Sequence, residues 1–314
     1  MCSSDLMPIP RFRHLAAALL SSTCLQVQAL ELPSTPTDAR VAAAFEQARA
    51  GYSRAQAPGY MDMPTDAKPW PCAVTELQLR RWIGYMALND ADLDDKARKA
   101  NAAAFRASGM SADELKSTVR DVRQAPLVAS CKDGKLDGPL EFVLEYTRVL
   151  DMPVAIMETR TRTRITLQIA AGEQVTNAAV SVNSLQLSSK STYKDPAVEA
   201  MMQKTKTPQV TMRMAVASLP LNDEEGYSAV ITETRAGSGP AEWMTVMSQP
   251  TGPKRTETRT YRGSALWTIA RIKNQRMHGE QKSFPTTFSG VPVPGGSQCF
   301  EDGELIKTTR CDVE

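Results

Sequence analysis

The sequence predicts an α+β fold, with a helical N-terminal region followed by a mainly antiparallel β domain of divergent hairpin repeats. Three observations carry that expectation. Apolar residues recur at helical spacing up to about residue 125 and at every second position beyond it. Alanine and leucine then give way to valine, threonine and arginine, which suit a pleated surface. The corners of the second half are Asp-Gly-like dipeptides, which match the twist of paired strands.

The first six residues, MCSSDL, are what a common sequencing-adapter read gives on translation, so residues 1–6 are taken as an artefact with Met7 as the start. Arg11, Arg13 and His14 then precede the apolar LAAALLSSTCL at 15–25, and Val27-Gln28-Ala29 forms a small-x-small site. That order reads as a secretory signal peptide over residues 7–29, cleaved after Ala29. A lipid-modified Cys24 fits less well, because SSTC lacks the leucine and small residues preferred before such a cysteine. No later segment approaches the roughly 18 apolar residues of a membrane helix, so no membrane span is expected. The expected location is periplasmic or secreted.

Export decides how the cysteines are read. Cys72, Cys131, Cys299 and Cys311 remain after cleavage, an even number in an oxidising compartment. Short separations favour 72–131 and 299–311, with the crossed pairings left open. No C-x-x-C spacing occurs and no histidine lies near these cysteines, so no zinc or other metal site is expected. The chain has only two histidines, His14 and His278, and the first departs with the signal peptide. A net charge of +2 over 314 residues gives no electrostatic case for a nucleic-acid partner.

In the helical region, 30–126, PTDARVAAAFEQARAG reads as a helix with Thr35 at its cap, Pro36 in the first turn and Gly51 at its end. The Pro- and Gly-rich stretch 51–72 reads as a loop. A second helix follows over 73–88, where Leu79, Trp82, Ile83 and Met86 share one face, extended by Leu77 and Tyr85. A third is expected at 91–107. The SADE capping box, Ser111 with Glu114, opens a fourth that stops before Pro126.

In the β domain, 127–314, alternation is clear at Leu140, Phe142, Leu144 and Tyr146, at Val180 and Val182, and at Val210, Met212, Met214 and Val216. One helix interrupts it at 195–204, capped by Asp195 and opened by Pro196. The stretch 138–170 aligns with 239–270, Glu158-Thr159-Arg160-Thr161 meeting Glu257-Thr258-Arg259-Thr260. Asp133-Gly134, Asn274-Gln275 and Asp302-Gly303 read as hairpin corners, the first two followed by Gly138 and Gly279.

At KNQRMHGEQKSF and KDGKLDGPLEF the chain resembles MORN-type repeats, in particular the short bacterial variant. The resemblance covers part of the β domain only, and Gln275 stands where that pattern has glycine. It implies a stack of antiparallel hairpins offering an extended face, in a family of scaffolds and interaction modules without a common chemistry.

Candidate sites are few. His278 occupies the position of Asp137 in the related corner, which gives it a polar turn role. Asp223-Glu224-Glu225 beside Gly226 reads as a solvated turn. No nucleotide-binding glycine pattern and no G-x-S-x-G motif occurs, so no cofactor is expected. The most suggestive stretch is ETRTRTRIT, 158–166. Extended, it sets Arg160, Arg162 and Arg164 on one face about 6.6 Å apart, with Arg259 as a neighbouring row, a spacing suited to phosphate or carboxylate groups on an extended polymer. Adjacent Glu or Asp side chains offsetting that charge would give an ordinary ion-paired face. The expected function is a non-enzymatic binding or scaffold module of the bacterial cell envelope, its partner an anionic envelope polymer or another envelope protein. The alternative is a hydrolase acting on an envelope polymer through carboxylates of the β domain.

Overall fold

The computed structural model describes residues 32–75, 78, 116–175, 178–204, 209–221, 225–274, 276–288, 291–306 and 311. Residues 1–6, read from the sequence as adapter-derived, the signal peptide expected at 7–29, the helix expected at 73–88 apart from 73–75 and Gln78, the helix expected at 91–107, the Ser111–Glu114 box, and Asp223 and Glu224 lie outside the described residues.

Helix α1 spans Ala39–Ala55. Its cap is Asp38, whose carboxylate accepts from the backbone amides of Arg40 and Val41 at 2.9 and 3.0 Å, so the helix starts later than the Thr35-Pro36 signal implied. It also runs past Gly51, which is buried within it. There a Cβ would stand 3.2 Å from Asn183 Oδ1, so the glycine serves close approach to the sheet rather than termination.

From Lys116 onward the chain is almost entirely antiparallel sheet, a correction to the boundary at 126. Strand β1 (Lys116–Val128) occupies the stretch expected to end the fourth helix. Pairing with β4 overrides local helix propensity here, and Pro126 is accommodated because β1 ends the sheet and its register shifts between Pro126 and Val128. A short ribbon, β2 (Cys131–Lys132) and β3 (Lys135–Leu136), leads into β4 (Gly138–Asp151), β5 (Ala155–Ala170), β6 (Glu173–Gln174) and β7 (Val180–Tyr193). Helix α2 (Pro196–Lys204) then opens at Asp195, where the sequence placed it. The meander resumes with β8 (Val210–Leu221), β9 (Glu225–Ala236), β10 (Glu242–Gly252), β11 (Arg255–Arg262) and β12 (Ala265–Lys273). It closes with β13 (Arg276–Met277), β14 (Gly279–Ser283), the ribbon β15 (Thr286–Phe288) and β16 (Val291–Val293), then β17 (Gly296–Glu301) and β18 (Glu304–Ile306). The main sheet runs β1-β4-β5-β7-β8-β9-β10-β11-β12-β14-β17-β18.

The two faces carry different cores. One holds Leu140, Phe142, Leu144 and Tyr146 of β4 with Ile165, Leu167 and Ile169 of β5 and Val180 and Val182 of β7. The other holds Ala215 and Ala217 of β8, Ala229 and Ile231 of β9 and Met247 of β10, against Val41, Ala44, Phe45, Ala48 and Tyr52 of α1. Alanines on both sides let the helix settle close to the sheet while Phe45 and Tyr52 fill the space beside them.

The chain after α1 clasps the sheet from both sides. Tyr60 stacks on Arg164 of the helix-side face, its ring centroid 3.9 Å from the guanidinium carbon. Trp70 then lies 5.8 Å from Phe142 on the opposite face, packed there with Cys72 and Val74. The Cys72–Cys131 disulfide ties this segment to β2, and Cys299–Cys311 ties β17 to the C-terminal tail. These are the pairings that sequence separation favoured. Closing a 59-residue separation contributes about 4 kcal/mol in the chain-entropy account. Thr75 and Gln78 exchange the two hydrogen bonds of a capping box, and Gln78 Nε2 donates to Gly172 O at 2.7 Å. Among the described residues, no helix is long and apolar enough to cross a membrane.

If the alanine-floored seat of α1 holds the fold together, Phe45→Ala should lower the unfolding free energy by about 3–5 kcal/mol, read as a shift of the urea midpoint.

Candidate functional site

Arg160, Arg162 and Arg164 of β5 do share one face, the face that carries α1. Their guanidinium groups meet carboxylates from β4. Glu145 is 1 % exposed, and both of its oxygens are engaged. Arg160 donates to Oε1 through Nε at 3.0 Å and also through Nη2. Arg162 donates to Oε2 through Nε at 2.8 Å. Arg123 of β1 brings a third guanidinium to 3.7 Å from Oε1. Arg164 donates to Glu141 Oε1 at 2.7 Å.

Two of the three arginines also hold the N-terminal clasp. Arg164 Nη1 donates to Tyr60 O at 2.7 Å, and Arg162 Nη1 reaches Asp62 Oδ1 at 3.2 Å and Met61 O at 3.4 Å. Arg162 and Arg164 are mostly buried, whereas the side chains of Arg160 and Arg123 are 48 % and 61 % exposed. The row foreseen from the 158–166 stretch therefore divides into an internal latch and an outer pair standing on one buried carboxylate.

Arg259 does not form the neighbouring row. Four strands, β7 to β10, lie between β5 and β11, which puts it roughly 24 Å across the sheet at about 4.8 Å per strand. Helix α1 packs on the strands between them. Arg259 belongs to a second cluster, where it donates to Glu257 Oε1 at 2.9 Å while Arg271 lies 3.5 Å from Oε2. The hydrogen bond to Glu257 raises the Arg259 pKa against the opposing effect of burial.

A third buried carboxylate, Glu233, lies under α1. It accepts from Tyr52 Oη and from Arg235 Nε. Tyr52 packs edge-on to Trp243 at 5.1 Å. Burial, then the hydrogen bond to Glu233, pushes the Tyr52 hydroxyl well above the ordinary tyrosine range. Cross-strand pairs link these groups in one row, Arg123, Glu145, Arg162, Leu185, Arg213, Glu233 and Trp243. Glu145, Glu233 and Glu257 were not singled out from the sequence. The usable signal was local: FVLEY at 142–146 is an apolar run broken by Glu145 alone, and in the structure all five residues are buried, so β4 is covered on both faces and Glu145 sits where a core residue would stand.

His278 has a structural partner set. Its Nδ1 accepts from the backbone amide of Asp302 at 3.4 Å, and its backbone amide donates to Arg271 O at 2.9 Å. Asp137 does the same work at the earlier corner, accepting from the amide of Ala171 at 3.0 Å while its own amide donates to Ser130 O. The residue before each also accepts from the next corner, Gly172 donating to Leu136 O and Gly303 to Met277 O, both at 2.8 Å. Asp133-Gly134 joins β2 to β3 and Asp302-Gly303 joins β17 to β18, with positive φ at all four residues. Asn274 likewise has positive φ between β12 and β13.

At Glu145, desolvation raises the carboxyl pKa, but hydrogen bonds from Arg160 and Arg162, and then their charges, outweigh it and hold the group below its ordinary value of 4.5. A carboxyl depressed in the folded state stabilises the fold above the unfolded value and loses that contribution as pH falls through the folded one. Unfolding free energy should thus decline as pH drops below about 4.5, and by less in Glu145→Gln, when followed by urea denaturation across pH. Arg160→Gln with Arg162→Gln strands the buried charge and should cost about 3–5 kcal/mol at neutral pH. Glu145→Gln, which keeps an acceptor oxygen for the guanidinium groups and leaves Arg160 able to turn to water, should cost about 1–2 kcal/mol.

No protein-family model matches the chain, and neither curated proteins nor solved structures give a match.

Proposed function

We propose that the chain is an exported, non-enzymatic binding or scaffold module of the bacterial cell envelope, which grips an anionic polymer through Arg123 and Arg160. The carrying observation is the uneven stoichiometry at Glu145, where one buried carboxylate holds three guanidinium groups. Arg162 spends its remaining donors on the clasp. Arg123 makes no side-chain hydrogen bond to another described residue, and Arg160 spends Nε and Nη2 on a single oxygen. Two half-fixed forks with outward donors, pre-positioned by one carboxylate, suit the phosphate or carboxylate groups of an extended polyanion.

Other features support the same reading. The two disulfides are compatible with an exported protein. The corners at Asp133-Gly134 and at Asn274, followed by the matched hydrogen bonds of Asp137 and His278, support the likeness to hairpin-repeat scaffolds. Glu145, Glu233, Glu257 and His278, the buried groups a hydrolase could use as acid or base, are each committed to a partner inside the fold.

The test uses residues 30–314 with polygalacturonate and polyphosphate as anionic probes, beside purified envelope sacculi. Binding should weaken as salt rises to about 0.5 M. Arg123→Gln with Arg160→Gln, which leaves Arg162 on Glu145, should weaken it by about tenfold. Equal binding by the double variant removes the arginine grip. New reducing ends released from the sacculi by the purified protein would replace the binding reading with the hydrolase.

A further inference from the structure

A groove of about 490 Å³ lies where β12, β14 and β17 meet, at the opposite end of the sheet from Arg160. That volume falls within the range of small-molecule sites, roughly 300–1,000 Å³. Cross-strand pairing places Thr268, Ser283 and Gly296 on one face, and Thr268 in turn opposes Thr260, Thr260 opposes Val246, and Val246 opposes Val230. This is the face away from α1.

The lining is what selects the ligand. Its apolar surface comes from Phe300, Met277, Pro294 and Ala270, and its polar reach from the Thr268 hydroxyl and the Gln298 amide. Neither of those two polar groups makes a side-chain hydrogen bond to another described residue. Among the described residues Lys282 is the one charged residue of the lining, and it opposes Ile269 on the other face and pairs with Glu280 at 3.0 Å. Among the described residues an anion would therefore find no free cation there, and a hydrocarbon chain would leave the hydroxyl and amide unpaired.

The walls are held firmly. A Cβ on Gly295 would stand 2.7 Å from Ser283 O and 2.8 Å from Pro285 Cδ, so this turn lies directly against β14. Cys299, between Gln298 and Phe300 in β17, is anchored by its disulfide to Cys311. On the β14 side, the Gln281 amide accepts from the Arg271 amide and donates to the Arg271 carbonyl, both at 2.9 Å. It thereby does the work of a backbone residue where β12 and β14 diverge.

From this lining we infer that the groove binds a neutral saccharide, with Phe300 and Pro294 against a sugar face and Gln298 and Thr268 on its hydroxyls. An aromatic ring offers an apolar platform, while an amide supplies both donors and acceptor, the combination that a polyhydroxylated ring with apolar faces requires. This site is independent of the arginine grip, lies at the other end of the sheet, and should respond differently to salt.

The probes are chitotetraose, cellotetraose and maltotetraose, titrated into residues 30–314 by calorimetry and by NMR with assigned amides. At least one should bind, with amide shifts centred on β12, β14 and β17 and with affinity unchanged between low salt and about 0.5 M. Phe300→Ala and Gln298→Leu should each weaken that binding by about tenfold. Gln298 is exposed, so its variant serves as the test even where Phe300→Ala perturbs folding. Absence of binding by all three sugars, shifts centred elsewhere, or unaltered affinity in Gln298→Leu overturns the inference. Loss of affinity with salt would assign the sugar to the arginine region and overturn it equally.

Discussion

The close seat of α1 on an alanine-floored sheet is the contact on which the remaining arrangement rests. Ala215, Ala217 and Ala229 offer no side chain large enough to hold the helix away, and Ala44 and Ala48 answer them from above. Once the helix is there, the residues after it have a determined starting point beside β5. Tyr60 then reaches Arg164, Met61 reaches Arg162, and the chain can pass to the opposite face, where Trp70 meets Phe142 and Cys72 meets Cys131. A larger side chain at the helix seat would misplace all of these together, because cores transmit strain instead of absorbing it.

Charge in this protein is organised around burial. Glu145, Glu233 and Glu257 each occupy a position where a strand would ordinarily turn an apolar residue inward, and each is neutralised by arginine from its own or a neighbouring strand. Such ion pairs at the margin of the helix seat contribute modestly to stability but specify where long side chains must lie. Toward the β10 end of the row the carboxylate of Glu233 is shared with Tyr52 of the helix, so electrostatics and packing describe the same contact there. At its β1 end Arg123, Arg160 and Arg162 gather on the one carboxylate of Glu145, the first two of them about half exposed.

Much of the architecture was legible in the residues. Alternation identified β4, β7 and β8, Asp-Gly and its variants marked the corners, and Asp195-Pro196 marked α2. The cysteine pairs are the two that short separation favoured, although separation left the crossed pairings open. What could not be read was anything decided by distant partners. Helical signals before Pro126 lost to pairing between β1 and β4, whose energy is nowhere in the local sequence. Gly51 had the appearance of a helix stop because its true reason, the proximity of Asn183, lies more than a hundred residues away. Arg160 and Arg259 sit in matching sequence contexts yet fall on either side of α1, since a resemblance between stretches says nothing of how many strands intervene. Gln281 offered no signal at all, its role arising only where two strands part.

The hydroxyl of Tyr52 and the carboxylate of Glu233 are separated by 181 positions in the chain. A polypeptide emerging from its N-terminus presents the amphipathic stretch of α1 long before β8, β9 and β10 exist to receive it. Loop closure over such a span is a late and costly event in folding. Helix α1, made before those strands, is thus among the last elements to dock, and until then Phe45 and Tyr52 lack the sheet that buries them.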